Sequence, residues 1–462
     1  MASAQTNLAL APAAEATPAS RRIAEFAVAA DAARMPGPVL AKAGGCLTDF
    51  LGCALEARDL PWGRQVIRYA GIGPEGPATV IGTDLTVAAT EAALANGTLG
   101  HGLIREDMHV ASCTHMGVVV WPALLAVAEL RPVSGADFVA AAVVGYEVGA
   151  RVGRALFDAD LAARLRPTGT VGAIGAAAAA ARLLRLGVEQ TMSAVGLAAN
   201  TACGLNEWPW AGGNEIFFHA GVAARNAVTA VLLAEGGVFA SPTAIDGRAG
   251  LFAAYGRRER AGRIEPLGDG AYEIMSVYWK PAPACNYVQT PCQAALDLVR
   301  QGVRAQDIRE IRIASFRSAL DYPGCNQPGP FPGVLEAKMS IQYSVAATLV
   351  RGAVEEANYA ELDHGEVRRL AAATELTVDP EFEAAYPDRQ GVAITVVLAD
   401  GSERTARLQD VAPVDLAGVR QRFEAIAASR LGSERAAAIL AAIDGLPDGG
   451  DPRRIARLTA QG

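Results

Sequence analysis

"SGADFVAAAVVGYEVGARVGRAL", residues 134–156, sets the texture on which the fold turns. Its apolar residues recur at three- and four-residue spacing from end to end, with no proline among them, which predicts a helix. Ser134 with Asp137 three places on is a helix start: a capping side chain, then an acid in the first turn. Alanine and glycine dominate the rest, so little side chain stands between this helix and its neighbours. The same texture runs from about Arg21 to Tyr255, in "AATEAALANGTLGHGL" (88–103), "WPALLAVAEL" (121–130) and "VGAIGAAAAAARLL" (171–184), with Gly and Pro marking the breaks. So much alanine on so many helices predicts a closely packed, largely buried bundle.

Past Tyr255 the pattern changes. "IREIRIASF" (308–316) alternates as a strand does, and "GVAITVVLADGSERTARL" (391–408) reads as a hairpin turning at Asp400-Gly401. "LEAKMSIQYSVAATLVRG" (335–352) returns to helix, and helices resume after Val414. The expected protein is mainly α. A flexible tail (1–20) leads into a large all-helical domain built from both chain ends (21–267 and 410–462). A smaller α+β domain is inserted between them at 268–409.

Hydrophobic residues make up 51% and charged residues 19% of the 462, a globular and not a disordered composition. A net charge of -8, with no run of basic residues, speaks against nucleic acid and anionic membrane as partners. Seven scattered cysteines without a CxxC pair read as buried thiols in a reducing compartment. The opening "MASAQTNLALAPAAEATPAS" lacks the basic start and sustained apolar core of a signal peptide, and no uncharged apolar run reaches membrane-spanning length. A cytoplasmic location, with no membrane partner, is the expectation.

Three of the five histidines, His101, His109 and His115, fall within "HGLIREDMHVASCTHMG" (101–117). Their spacing does not repeat every helical turn as in HxxxH or HExxH, so a cleft loop of an acid–base site is expected and no metal, although Glu106 and Asp107 stand beside them. "GTVGAIGAAAAAARLL" (169–184) mimics a phosphate-binding loop, but the preceding "RLRPTGT" is no strand, so small residues for close helix packing are the better reading. In "YWKPAPACNY" (278–287), Lys280 is either a solvated lysine or one walled by Tyr278, Trp279 and Pro281, with a lowered pKa suited to proton transfer. Tyr146 sits mid-helix among apolar residues, where its hydroxyl needs a partner. "GLNEWPWAGG" (204–213) offers Trp208 and Trp210 as a pocket loop or as core.

In their order along the chain these stretches resemble the MmgE/PrpD family. "NGTLGHGLIREDMH" is similar to that family's Asn-Gly-Thr…His-Ala-Leu-Asp-Phe-Asp-Asp-Thr-His segment. "THMGVVVWPALLAVAE", "GYEVGARVG", "RPTGTVGAIGAAAAAARLLRLG", "FHAGVAARNAVTAVLLAEGG", "KPAPACNY" and "EAKMSIQYSVAATLVRG" follow in family order. The resemblance implies a helical domain with an inserted α+β lid, usually as a homodimer. It implies a cofactor-independent lyase that removes a proton next to a carbonyl or carboxylate of a small molecule. His101, Asp107, His109, His115, Tyr146, Lys280 and His219 fit the pattern. Ile104, Met108, Arg166, Ile216, Asn286 and Gln289 stand where the family has Asp, Thr, His, Lys, Arg and His.

Those replacements have a physical direction. A tricarboxylate needs several cationic or hydrogen-bonding partners, because unpaired buried charge is costly. Ile104, Met108 and Ile216 cannot supply them, while Arg166 can clamp one carboxylate. The substrate is therefore expected to be less charged and more apolar than citrate-like acids. Lys280 and Tyr146 are the expected acid–base pair, facing each other across the cleft, with His101, His109 or His115 assisting. An isomerase or epimerase using that pair is the alternative, and a non-catalytic binding relative the second.

Overall fold

Ser134 caps its helix as the sequence predicts: its Oγ accepts the Asp137 N–H at 3.1 Å, and the helix runs Gly135–Leu156. The computed structural model describes residues 17–264 and 267–461. Residues 1–16 of the expected tail lie outside the described residues, and the first helix begins at Ala19. Around Gly135–Leu156 pack the helices Gly37–Ala57, Gly117–Ala128 and Pro167–Leu183. Ala89–His101 and Ile216–Glu235 cross each other and pack on the helix Gly117–Ala128. From the other end of the chain, Leu416–Leu431 packs on Gly37–Ala57, so both termini contribute to one core.

Small residues set how closely these helices approach. A methyl group at Gly175 would lie 2.5 Å from the Gly145 carbonyl oxygen, and one at Gly221 would lie 2.2 Å from that of Leu94. The glycine-rich stretch 169–184 is accordingly a buried helix whose glycines meet Val119, Met116 and the Gly145–Gly149 face, as close packing requires. Two helices, Gly37–Ala57 and Ile216–Glu235, are long and apolar enough to cross a membrane by length and composition. Both carry charge within their span, at Lys42 and Asp49 and at Arg225, and lie largely inside the protein. They are core helices.

A second buried cluster forms mainly from residues 282–406. Its sheet runs in the order Thr374–Val378, Ile308–Ser315, Val392–Leu398, Glu403–Leu408; the first pair is parallel and the others antiparallel. The hairpin turns where Asp400-Gly401 predicts, with Gly401 at φ +82°. Helices Gln289–Arg300 and Gly365–Ala372 pack on this sheet, and Ile341–Arg351 packs on both of them. The single helix expected over 335–352 is broken instead at Ser340, whose Oγ accepts the Tyr343 N–H at 3.0 Å and starts a second helix. Where the chain passes between the two clusters it runs side by side with itself: Val414 N–H donates to the Trp279 carbonyl at 3.1 Å. Ile104, Trp208, Ile216 and Phe217 leave the helical part to join the second cluster, so the seam between the clusters is itself apolar.

Gly221→Ala is expected to destabilise the protein by about 1–3 kcal/mol, the usual cost of overpacking. This would outweigh the roughly 1 kcal/mol that alanine gains over glycine in an open helix. Urea unfolding measures the difference, and an unchanged or raised midpoint would contradict the packing argument.

Candidate active site

The histidine loop enters the seam from the end of the helix Ala89–His101 and leaves into Gly117–Ala128. Two residues with side chains turn it through the left-handed region, Ile104 at φ +56° and Cys113 at φ +53°. For a β-branched residue this conformation is an outlier, of order 1–3 kcal/mol in strain. Between them Met108–His109 pairs antiparallel with Val277–Tyr278, tying the loop to the segment that carries Lys280.

Glu106 is the centre of the loop's polar side. Its Oε1 lies 2.5 Å from His101 Nδ1 and 3.0 Å from His115 Nδ1, and all three side chains are buried. His115 Nδ1 is also 3.0 Å from the Asp107 carbonyl. With only acceptors around both Nδ1 atoms, the protons are assigned there, leaving each Nε2 as the basic nitrogen. His101 Nε2 accepts from the Arg166 guanidinium at 3.3 Å. Burial works to raise the Glu106 pKa, but the two imidazoles outweigh it and hold the carboxyl well below its usual range. Burial lowers His115 to about 3, helped by the positive charge of Lys280. The arrangement is an ionised carboxylate between two neutral imidazoles.

His115 and Arg166 both line a cavity of about 40 Å³, together with Ile104, Met108, Val110, Ile216 and Met339. Asn286, Cys113, Cys285, Tyr287, Tyr322 and Tyr386 are also on its wall. One water needs about 10–15 Å³ on this measure, so a larger ligand requires the seam to open. Arg166 Nε is buried without a hydrogen-bond partner. Behind it stands His219, lowered to about 4 by burial and by Arg166, with Gly204 against both side chains. Asn286 is held by Gln390 at 2.8 Å and by the Tyr278 hydroxyl at 2.6 Å.

Lys280 is fully buried, so the solvated reading fails. Its ammonium donates to the Ala284 carbonyl at 3.1 Å, and burial lowers its pKa to about 8, against the opposing pull of Glu106. Lys280 is not part of the cavity wall; it stands behind it.

Two expectations need correction, and one that the sequence left open is decided. Tyr146 does not face Lys280: its hydroxyl donates to Asp107 Oδ2 and accepts from the Trp121 indole at 3.1 Å, deep in the helical core. A helix-borne tyrosine among apolar neighbours turned to the nearest buried carboxyl, and Asp107 also accepts the Gly117 N–H at 3.2 Å. Burial raises Asp107 to about 7. His109 also points away from the cavity, held between Ser112 at 2.7 Å and Glu273 at 2.9 Å, because its strand alternates it to the side opposite Met108. Trp208 is core, its indole donating to Asn206 at 3.1 Å, while Trp210 is 68% exposed. Both border a neighbouring depression of about 280 Å³ that shares only the Tyr322 and Met339 walls with the cavity.

The sequence reading considered Glu106 only as a metal ligand and did not anticipate the three tyrosines, which arrive from positions 287, 322 and 386. Tyr287 ends the KPAPACNY stretch, whereas nothing local marks Tyr322 or Tyr386. Among the described residues, no group of three or more His, Cys, Asp or Glu is arranged to hold a metal ion.

Comparison with known proteins fits this geometry. Residues 21–263 match the MmgE/PrpD N-terminal domain and residues 282–447 the MmgE/PrpD C-terminal domain. The chain belongs to the MmgE/PrpD family. It is 38% identical over 212 residues, 44% of each chain, to the cis-aconitate decarboxylase-like protein oryM of Aspergillus oryzae. It is 25% identical over 399 residues, 81% of each chain, to cis-aconitate decarboxylase of Aspergillus terreus. To 2-methylcitrate dehydratase of Salmonella typhimurium it is 27% identical over 395 residues, covering 77% of this chain and 78% of the relative. These relatives are a decarboxylase-like protein, a decarboxylase and a dehydratase, which makes the enzyme class a lyase.

An unfolded chain protonates an imidazole near pH 6.5, whereas folded His115 resists protonation until about pH 3. The unfolded state then binds more protons within that window, so stability is lost as pH falls through it. His115→Asn is expected to flatten this loss, read as urea midpoints at several pH values between those limits. Parallel slopes for variant and wild type would contradict the assignment.

Proposed function

We propose that this protein is a cofactor-independent acid–base lyase acting on a monocarboxylic acid with an apolar body. His115 Nε2 takes the proton from the carbon next to the carboxylate or carbonyl, the C–H electron pair forms a C=C bond, and the hydroxyl on the neighbouring carbon leaves as water. Glu106 holds the His115 proton on Nδ1 and leaves Nε2 unprotonated, with a lone pair to take the substrate proton. Burial, helped by the charge of Lys280, keeps the imidazole neutral, and Tyr146 braces Asp107 under the loop; Lys280 and Tyr146 are positioning residues in this reading.

The observation that carries the proposal is the buried, unpartnered Nε–H of Arg166, the one guanidinium among the described residues that line the cavity, on a wall that also presents Ile104, Met108, Ile216 and Met339. Leaving such a donor unmade costs about 1–3 kcal/mol, more for a charged group, and a carboxylate is the acceptor that a guanidinium fits. One guanidinium meets one carboxylate. The relatives named for cis-aconitate and 2-methylcitrate act on acids with three carboxyl groups, and Ile104, Met108 and Ile216 supply no second cation for the other two. The isomerase alternative needs Tyr146 and Lys280 to face each other, whereas the Tyr146 hydroxyl pairs with Asp107 and Trp121 and the Lys280 ammonium with the Ala284 carbonyl. A homodimer in the cytoplasm belongs to the same proposal, on family membership alone.

Incubation with apolar hydroxy and unsaturated monocarboxylic acids in deuterated water is the test, read as deuterium incorporation and product release. At least one should exchange, while cis-aconitate and 2-methylcitrate should not. Rapid turnover of either triacid would overturn the substrate assignment. With the active acid, His115→Asn should lower kcat by about 10²–10⁴-fold, the usual share of a general base. Arg166→Gln should lower kcat/KM by about ten- to a hundredfold, as expected for losing hydrogen bonds between charged groups.

A further inference from the structure

Two cysteines that the acid–base reading does not use meet at the cavity wall. The sulfurs of Cys285 and Cys325 lie 3.7 Å apart, although forty residues separate them in the chain. Both are buried free thiols, and only Cys285 lines the cavity. Their approach is fixed by the backbone. Cys285 N–H donates to the Lys338 carbonyl at 3.0 Å, and the Cys325 carbonyl accepts the Ile341 N–H at 2.9 Å. Lys338 and Ile341 flank Ser340, the junction between two helices, so both thiols are anchored to the same rigid corner.

We propose that Cys285 and Cys325 form a peroxide-reactive dithiol, in which a hydroperoxide oxidises the pair to a disulfide beside the candidate active site. The Cys285 thiolate attacks one oxygen of hydrogen peroxide; the O–O bond breaks, hydroxide leaves, and Cys285 becomes a sulfenic acid. The Cys325 thiol then attacks that sulfur, the S–O bond breaks and water departs. Two thiols are oxidised and one peroxide is reduced to two waters. Hydrogen peroxide, with two heavy atoms, is of a size that the 40 Å³ cavity admits.

The two sulfurs differ in environment. The hydrogen bond from Cys325, with Lys280 and Arg166 nearby, holds Cys285 below the ordinary thiol range against its burial. Burial pushes Cys325 well above that range. Cys285 is therefore the attacking sulfur and Cys325 the resolving one. Cys113, the other thiol on the cavity wall, is raised by burial and stays reduced.

The test treats the full-length protein with a slight excess of hydrogen peroxide, blocks remaining thiols with iodoacetamide, and maps peptides by mass spectrometry without reduction. A peptide pair joining Cys285 to Cys325, lighter by two hydrogens and abolished by dithiothreitol, is expected. In Cys325→Ser the reaction should stop at a dimedone-trappable sulfenic acid on Cys285; in Cys285→Ser neither product should form. Full alkylation of both cysteines after peroxide, a link through Cys113 instead, or no dimedone adduct on Cys285 in Cys325→Ser would each overturn the proposal.

Discussion

A single buried carboxylate organises the candidate site. Glu106 lies away from water, and a charge there is tolerable only if enough donors meet it. His101 and His115 both meet its Oε1 with their Nδ1 protons, Arg166 joins through the far nitrogen of His101, and Oε2 is buried without a hydrogen-bond partner. Each link fixes the next: the carboxylate sets the tautomer, the tautomer sets which nitrogen is basic, and that nitrogen belongs to a residue on the cavity wall. Lys280 lies near enough to act on this group by charge and is held back from the cavity by the Ala284 carbonyl.

The loop that carries Glu106 is held from below and from the side. Below, the Tyr146 hydroxyl and the Gly117 amide take the two oxygens of Asp107, and the Trp121 indole fixes the hydroxyl in turn. From the side, the buried Lys338 ammonium donates to the Leu103 carbonyl at 3.0 Å while its charge is met by Glu356 at 2.6 Å. Ile104 follows directly, in a left-handed conformation that asparagine and aspartate adopt more readily than a β-branched residue. The family resemblance places aspartate there. The backbone has kept the shape suited to that residue while the side chain has become aliphatic.

Loss of polar groups around the cavity and retention of the Glu106 network are separate facts with separate consequences. Ile104, Met108 and Ile216 alter what the cavity can bind. They leave intact what it can do to a proton, because neither the imidazoles nor the carboxylate passes through them. This separation lets the chain keep the outline of a family lyase, and it is the ground for proposing a less charged acid as substrate.

Local pattern determined much of this protein. The Ser134 cap, the hairpin at Asp400-Gly401, the buried glycine-rich helix and the strand at 308–316 follow from side-chain period, capping and turn chemistry, which act over a few residues. The residues that line the cavity were partly legible too, since His115, Arg166, Ile104, Met108, Ile216 and Asn286 stand at positions of family motifs. Direction was not legible. Whether Tyr146 faces a lysine or an aspartate, and whether His109 turns toward the cavity or Glu273, depends on which buried partner lies within about 3 Å. Helices and strands brought from far along the chain supply those partners. The tyrosines at 287, 322 and 386, and the meeting of Cys285 with Cys325, likewise exist only after folding, because the sequence holds no local record of groups separated by tens of residues.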